Sequence, residues 1–219
     1  MRIGDEHAVQ PRLVSISQCT ELGTVYSIEE MRELGELAHG HGLLLHVDGA
    51  RLANAAAALG TTLRAIATDV GVDLLSFGGT KNGLLGAEAV VFLTQGLDEG
   101  FVYLRKQTLQ LASKMRFLTA QLGALLTDEL WLRNASHANA MAARLAERAA
   151  DVRGVEITQP VQTNAVFARV PHDAVAELQR EFDFYVWDER SDEVRWMCSW
   201  DTTEEDVDEF AAALERAVS

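Results

Sequence analysis

Cysteine is scarce: Cys19 and Cys198 are all that 219 residues contain. Two thiols so far apart make no disulfide framework, and no Cys/His pair has metal-ligand spacing, so the reading is two reduced thiols and no metal. Positive charge is also in short supply. Nineteen Lys and Arg against 33 Asp and Glu leave a formal net charge of −14, with a pI near 4.8. No basic run along a helix face offsets that repulsion, which argues against nucleic acid as a partner. No apolar stretch reaches the ~18 residues of a membrane span, and the opening "MRIGDEHAVQ" lacks the hydrophobic centre of a signal peptide. These absences predict a soluble, cytoplasmic chain with no membrane partner. Internal repeats and low-complexity linkers are missing too.

What is present suffices for a sizeable core. Hydrophobic residues make up 48% of the chain, and a chain of this length buries about 70% of its unfolded surface. "LVSIS" (13–17) reads as a strand. "SIEEMRELGELAHGHG" (27–42) opens with Ser27 and a Glu three residues later, the signature of a capped helix, and Gly42 is its stop. The run "GLLLHVD" predicts a buried strand ending at Asp48. "ANAAAALG" and "TTLRAIATDVG" supply helical material, and "VDLLSFGG" (72–79) and "EAVVFLT" (88–94) two further strands. Strands alternating with helices imply a mostly parallel sheet.

From about Asp98 to Asp151 the chain is rich in Leu, Ala, Arg and Gln without a strong breaker, which predicts long helices. Beyond them "GVEITQP", "TNAVFARVP", "HDAVAELQREF", "FYVWDE", "VRWMCSW" and "TEEDVDEFAAALERAV" read as a small α+β unit. Thr203 caps its last helix, with Asp206 in the first turn.

Ligands of open α/β sheets sit outside the carboxyl ends of the strands, and there the sequence places Asp48, with Arg51 three residues on. The strand "LLSFGG" likewise delivers Lys81 in the Gly-flanked loop "GGTKNG". A phosphate-binding P-loop is ruled out by pattern, because Thr80 rather than Gly precedes Lys81 and Asn82 follows it. A lysine and an aspartate at one sheet edge are what pyridoxal 5′-phosphate requires: the amine condenses with the aldehyde, and the carboxylate keeps the pyridine nitrogen protonated. Arg51 could reach the ring's phenolate oxygen. Simpler roles compete: Asp48 as a helix cap, Arg51 as its ion-pair partner, Lys81 as a solvated loop residue. His46, two residues before Asp48 and on the same side of the strand, reads as a satisfied core histidine rather than a catalytic one, and His39, His41 and His137 carry no signal.

"HVDGAR" and "SFGGTKNGLLGAE", followed by "RK", "TNAVF" and "VRWMCSWD", resemble the threonine aldolase and β-eliminating lyase family of fold-type I pyridoxal phosphate enzymes. The resemblance runs from about residue 5 to the carboxyl end. It implies an α/β fold: the remainder of a mostly parallel large-domain sheet in residues 1–112, then linking helices and a small α+β domain in 113–219. It also implies that Asp48 partners the pyridine nitrogen, that Arg51 contacts the phenolate or substrate, and that Lys81 bonds the cofactor. Arg195 matches the arginine that clamps the substrate carboxylate, a task suited to a bidentate fork, although an edge-strand arginine is more often a surface charge. Lys106 matches a family lysine but also suits a helix surface.

The activity implied is cleavage of the Cα–Cβ bond of a β-hydroxy-α-amino acid, L-threonine or L-allo-threonine giving glycine and acetaldehyde, in a homo-oligomer, dimer or tetramer. The alternatives are β-elimination on the same fold and a non-catalytic remnant that associates with an intact subunit. Family members begin with a substantial segment carrying the phosphate-binding turn and a histidine stacked on the ring, whereas here "MRIGDEHAVQPR" leads directly into the first strand. The expectation is therefore a fragment, a truncated product or half of a split enzyme, with an exposed sheet edge. "LQLASKMRF", where many members have a glycine-rich turn, suggests a subgroup with its own substrate preference.

Overall fold

Ser27 and Glu30 close a reciprocal capping box: the Glu30 amide donates to Ser27 Oγ (3.2 Å) and the Ser27 amide to Glu30 Oε2 (2.7 Å). The box starts helix α1 (Ile28–Gly40), whose Met31, Gly35 and Ala38 are buried. In the computed structural model, which describes residues 2–219, α1 connects two parallel strands, β1 (Leu13–Ser17) and β2 (Leu44–Gly49). Short helices α2 (Leu52–Ala58) and α3 (Leu63–Ile66) lead on to β3 (Leu74–Gly78), parallel to β2. Strand β4 (Glu88–Phe92) then returns antiparallel, so the sheet has order β1-β2-β3-β4 and is mixed, mostly parallel.

Period-two alternation sorts the side chains of this sheet. Leu45, Val47, Leu75 and Phe77 pack with Met31, Leu52 and Ile66 in one core cluster, each such burial contributing about 1.5–3 kcal/mol. The opposite face carries Ser15, His46, Asp48 and Ser76 and is half-buried or exposed. Parallel strands are ordinarily covered on both faces, so the apolar look of "GLLLHVD" hides an alternation. His46 lies mid-face with both ring nitrogens engaged, Nδ1 with Ser15 Oγ (2.8 Å) and Nε2 with Ser76 Oγ (3.1 Å). At the far end of the sheet the buried Asp73 carboxylate accepts from the Leu45 amide (2.8 Å), Thr94 Oγ1 (2.5 Å) and His39 Nε2 (2.8 Å).

The predicted long helices are broken. Helices α4 (Phe101–Gln107) and α5 (Arg116–Leu126) are separated by a turn with Leu109 at φ +62, and Asp128 and Glu129 at φ +50 and +56 precede the 21-residue α6 (Leu130–Ala150). Left-handed backbone at residues other than glycine is not announced by any local breaker in the sequence. Trp131 and Ala135 of α6 join the first cluster, while Met141, Ala142, Leu145 and Ala149 join a second. That second cluster lies under an antiparallel sheet of order β5-β6-β8-β7, made by β5 (Glu156–Ile157), β6 (Ala165–Arg169), β7 (Tyr185–Asp188) and β8 (Glu193–Met197). Helices α7 (His172–Leu178) and α8 (Glu204–Ala217) complete the unit, and a Thr203/Asp206 capping box starts α8. Among the described residues, no helix is long and apolar enough to cross a membrane.

Candidate active site

The parallel register carries Asp48 and Ser76 to the same level at the carboxyl ends of β2 and β3. Asp48 is exposed there, with Oδ1 accepting from the Ala50 amide (3.0 Å). That bond shapes the Gly49–Ala50 turn, and Arg51 takes the residue before α2. Asp48 therefore caps its own turn rather than α2.

Lys81 follows β3 on a single 3₁₀ turn, Thr80–Asn82. The turn is tied down on both sides of the lysine. The Thr80 amide donates to Glu88 Oε1 (3.1 Å), and buried Asn82 donates to the Trp131 carbonyl (3.0 Å) while its own carbonyl accepts from Asn134 (2.9 Å). Gly83, at φ +103, ends the turn. Lys81 is exposed.

Arg195 lies in β8, an interior strand between β6 and β7 and not an edge. Its side chain is 15% exposed, with Nη1 3.7 Å from Glu21 Oε2. The guanidinium stacks 5.0 Å from the Trp187 ring and 5.5 Å from the Tyr185 ring. Its Nε is buried without a partner. A narrow slit lined by Glu21, Arg51, Asn164 and Arg195 joins the two sheets. Asn164 donates its Nδ2 to the Cys198 carbonyl (2.7 Å), which turns Oδ1 away from that carbonyl and leaves it buried and unpartnered. One donor and one acceptor on the slit's lining are thus unsatisfied.

The structure brings Asp48, Arg51 and Lys81 to one end of β2 and β3, and Arg51 together with Arg195 in the slit. Sequence reasoning missed Glu21, although it follows β1 as Asp48 follows the body of β2, and the same strand-end rule would have found it. Asn164 was visible only as part of "TNAVF". Both thiols are free and buried. Burial pushes Cys198 up to about 12. It also pushes Cys19 up, against a bond from Thr163 and the nearby charge of Arg51. Among the described residues, no three His, Cys, Asp or Glu cluster around a metal position.

The sequence profile of the Beta-eliminating lyase family matches residues 1–173. The low specificity L-threonine aldolase of Pseudomonas sp. (strain NCIMB 10558) is 44% identical over 216 residues, 98% of this chain and 62% of that protein. Its namesake from Pseudomonas aeruginosa is 46% identical over 208 residues, 94% of this chain and 60% of the relative. The solved threonine aldolase of Leishmania major superposes with a TM-score of 0.90 at 32% identity, over 98% of this chain and 64% of that one. The chain spans about six-tenths of the length of the curated relatives it matches. With the two-sheet fold and the strand-end residues already described, these matches establish that the chain belongs to the beta-eliminating lyase family.

Proposed function

We propose that this chain carries the lysine-bearing, carboxylate-binding part of a pyridoxal phosphate-dependent aldehyde-lyase of the threonine aldolase type. The substrate is a β-hydroxy-α-amino acid, and the products are glycine and an aldehyde. The observation that carries this reading is the convergence of Asp48, Arg51 and Lys81 at the ends of two adjacent parallel strands, with Arg195 lining the same slit as Arg51.

The residues present fit the cofactor. Lys81 offers an exposed amine, Asp48 an exposed carboxylate, and the slit an unpartnered donor and acceptor. Lys81 would hold the cofactor through its aldehyde carbon, and Asp48 would hold a proton at the pyridine nitrogen. When bound, the group supplies the electron sink for the pair left on Cα. Arg51 stabilises negative charge at the phenolate or the substrate carboxylate, and Arg195 orients that carboxylate as a fork lying against the Trp187 and Tyr185 rings. The stack on Trp187 and Tyr185 is worth about 0.5–2 kcal/mol and fixes the plane of the fork. A thiol held up near 12 makes a poor nucleophile, so Cys198 does not favour a desulfurising variant.

Residues 1–112 form the partial cofactor-binding domain in this reading, and residues 113–219 the linking helices and small domain. A cytoplasmic homo-oligomer is part of it. Support for self-association comes from exposed Val102, Tyr103, Leu104, Leu109 and Phe117. They are interspersed with Arg105, Lys106, Lys114 and Arg116 in a stretch without an acid, within a chain of net charge −14. The test is release of glycine and acetaldehyde from L-threonine by the protein supplied with pyridoxal phosphate. Lys81→Ala should abolish it, and activity that survives that change would refute the reading.

A further inference from the structure

The geometry points to Glu21 as the residue that restricts the amino-acid subsite to a single carboxylate, so that its substrates are β-hydroxy amino acids with uncharged side chains and dicarboxylic amino acids are rejected. This inference rests on the function proposed above and narrows its substrate class.

Charge matching carries the argument. The charged lining of the slit consists of Arg51, Arg195 and Glu21. With Arg51 serving the substrate carboxylate rather than the phenolate, two guanidinium groups and one carboxylate leave one positive charge, and one α-carboxylate neutralises it. A second carboxylate on the substrate would leave a net negative charge beside Arg195, whose side chain is only 15% exposed against 63% for Glu21. Charge excess is costly there because water screens it poorly. A β-hydroxyl adds no charge and can donate to the Glu21 carboxylate.

The turn that bears this carboxylate is held in place, while the Glu21 side chain itself is 63% exposed. This turn follows β1 and is fastened from three sides. The Gln18 amide donates to the Asp48 carbonyl (2.9 Å), and the fully buried Gln18 side chain exchanges bonds with Tyr26, Nε2 to the carbonyl (2.8 Å) and Oε1 from the amide (3.1 Å). Thr20 and Thr24 hydroxyls pair at 2.7 Å across the turn. Thr163, from the segment entering β6, donates to the Gly23 carbonyl (2.8 Å). The backbone turn bearing Glu21 is thus anchored to the strand that carries Asp48 and to the sheet that carries Arg195. At 3.7 Å from Arg195 Nη1 the Glu21 carboxylate is a loose partner, leaving guanidinium N–H groups for an incoming carboxylate.

The experiment measures equilibrium binding of L-alanine and L-aspartate, neither of which has a β-hydroxyl to react, to the full chain supplied with pyridoxal phosphate. The wild-type protein should prefer L-alanine. Glu21→Gln should move the ratio of the two dissociation constants toward L-aspartate by about tenfold or more, with L-alanine changed less than about threefold. Glu21→Asp, which keeps the charge, should retain the wild-type ratio. Arg195→Gln should weaken both ligands. An unchanged ratio in Glu21→Gln, with Arg195→Gln still weakening both, would overturn the role of Glu21 and leave the proposed function standing. Failure of the wild-type protein to bind either amino acid would overturn both.

Discussion

A β-carbon at position 78 would stand 2.5 Å from the Ala50 carbonyl oxygen and 2.6 Å from Ala50 Cα. Gly78 thereby lets the end of β3 lie directly against the turn after β2, and the loop carrying Lys81 is set against the one carrying Asp48 and Arg51. Gly78→Ala must push these backbones apart, and overpacking of this kind costs about 1–3 kcal/mol. Denaturant unfolding should show that loss, together with weaker cofactor capture by Lys81. Wild-type stability in the variant would mean the two turns can separate freely.

Asp48 and Arg195 should separate in their effects. Asp48→Asn leaves a group that cannot hold the pyridine proton, so cofactor should still bind, weakly, while turnover is lost. Arg195→Lys keeps a positive charge but loses the planar fork that lies against Trp187 and Tyr185, and should weaken amino-acid binding by about 1–3 kcal/mol. Binding titrations beside turnover rates check this, and identical profiles for the two variants would contradict the division of labour.

Asp73 ties stability to pH. Burial alone would raise its pKa, but bonds from Thr94, the Leu45 amide and His39 outweigh burial and hold the carboxyl below its ordinary value. The depressed folded-state value means its stabilisation is fully present above the unfolded pKa, about 3.9, and is lost as pH falls through the folded value. Asp73→Asn should therefore destabilise at neutral pH by about 1–3 kcal/mol, with the difference from wild type shrinking under acid. A constant difference down to pH 2 in urea unfolding would rule out this linkage.

Local signals read well in this sequence, and long-range ones did not. The capping boxes at Ser27 and Thr203 and the strand ending near Asp48 depend on residues a few positions apart, and they formed as predicted. The antiparallel return of β4 and the open face bearing His46 depend on which elements become neighbours. Asp48, Arg51 and Lys81, the residues of the proposed site, stand out in the sequence because strand ends announce themselves. Glu21 was open to the same strand-end rule, whereas Asn164 was not, since its place in the slit comes from its segment meeting the turn after β1, where Thr163 donates to the Gly23 carbonyl across 140 residues. The breaks at Leu109, Asp128 and Glu129 escaped notice because left-handed backbone at such residues is imposed by packing rather than local preference.

The central claim is that Lys81 is the residue that bonds the cofactor. Borohydride reduction of the protein supplied with pyridoxal phosphate, followed by peptide mass spectrometry, tests it directly. The account predicts a pyridoxyl group on the peptide containing "GGTKNG", absent in Lys81→Ala while the far-ultraviolet circular dichroism is retained. A stoichiometric pyridoxyl group on Lys106, Lys114 or the amino terminus, with Lys81 unlabelled, would contradict it.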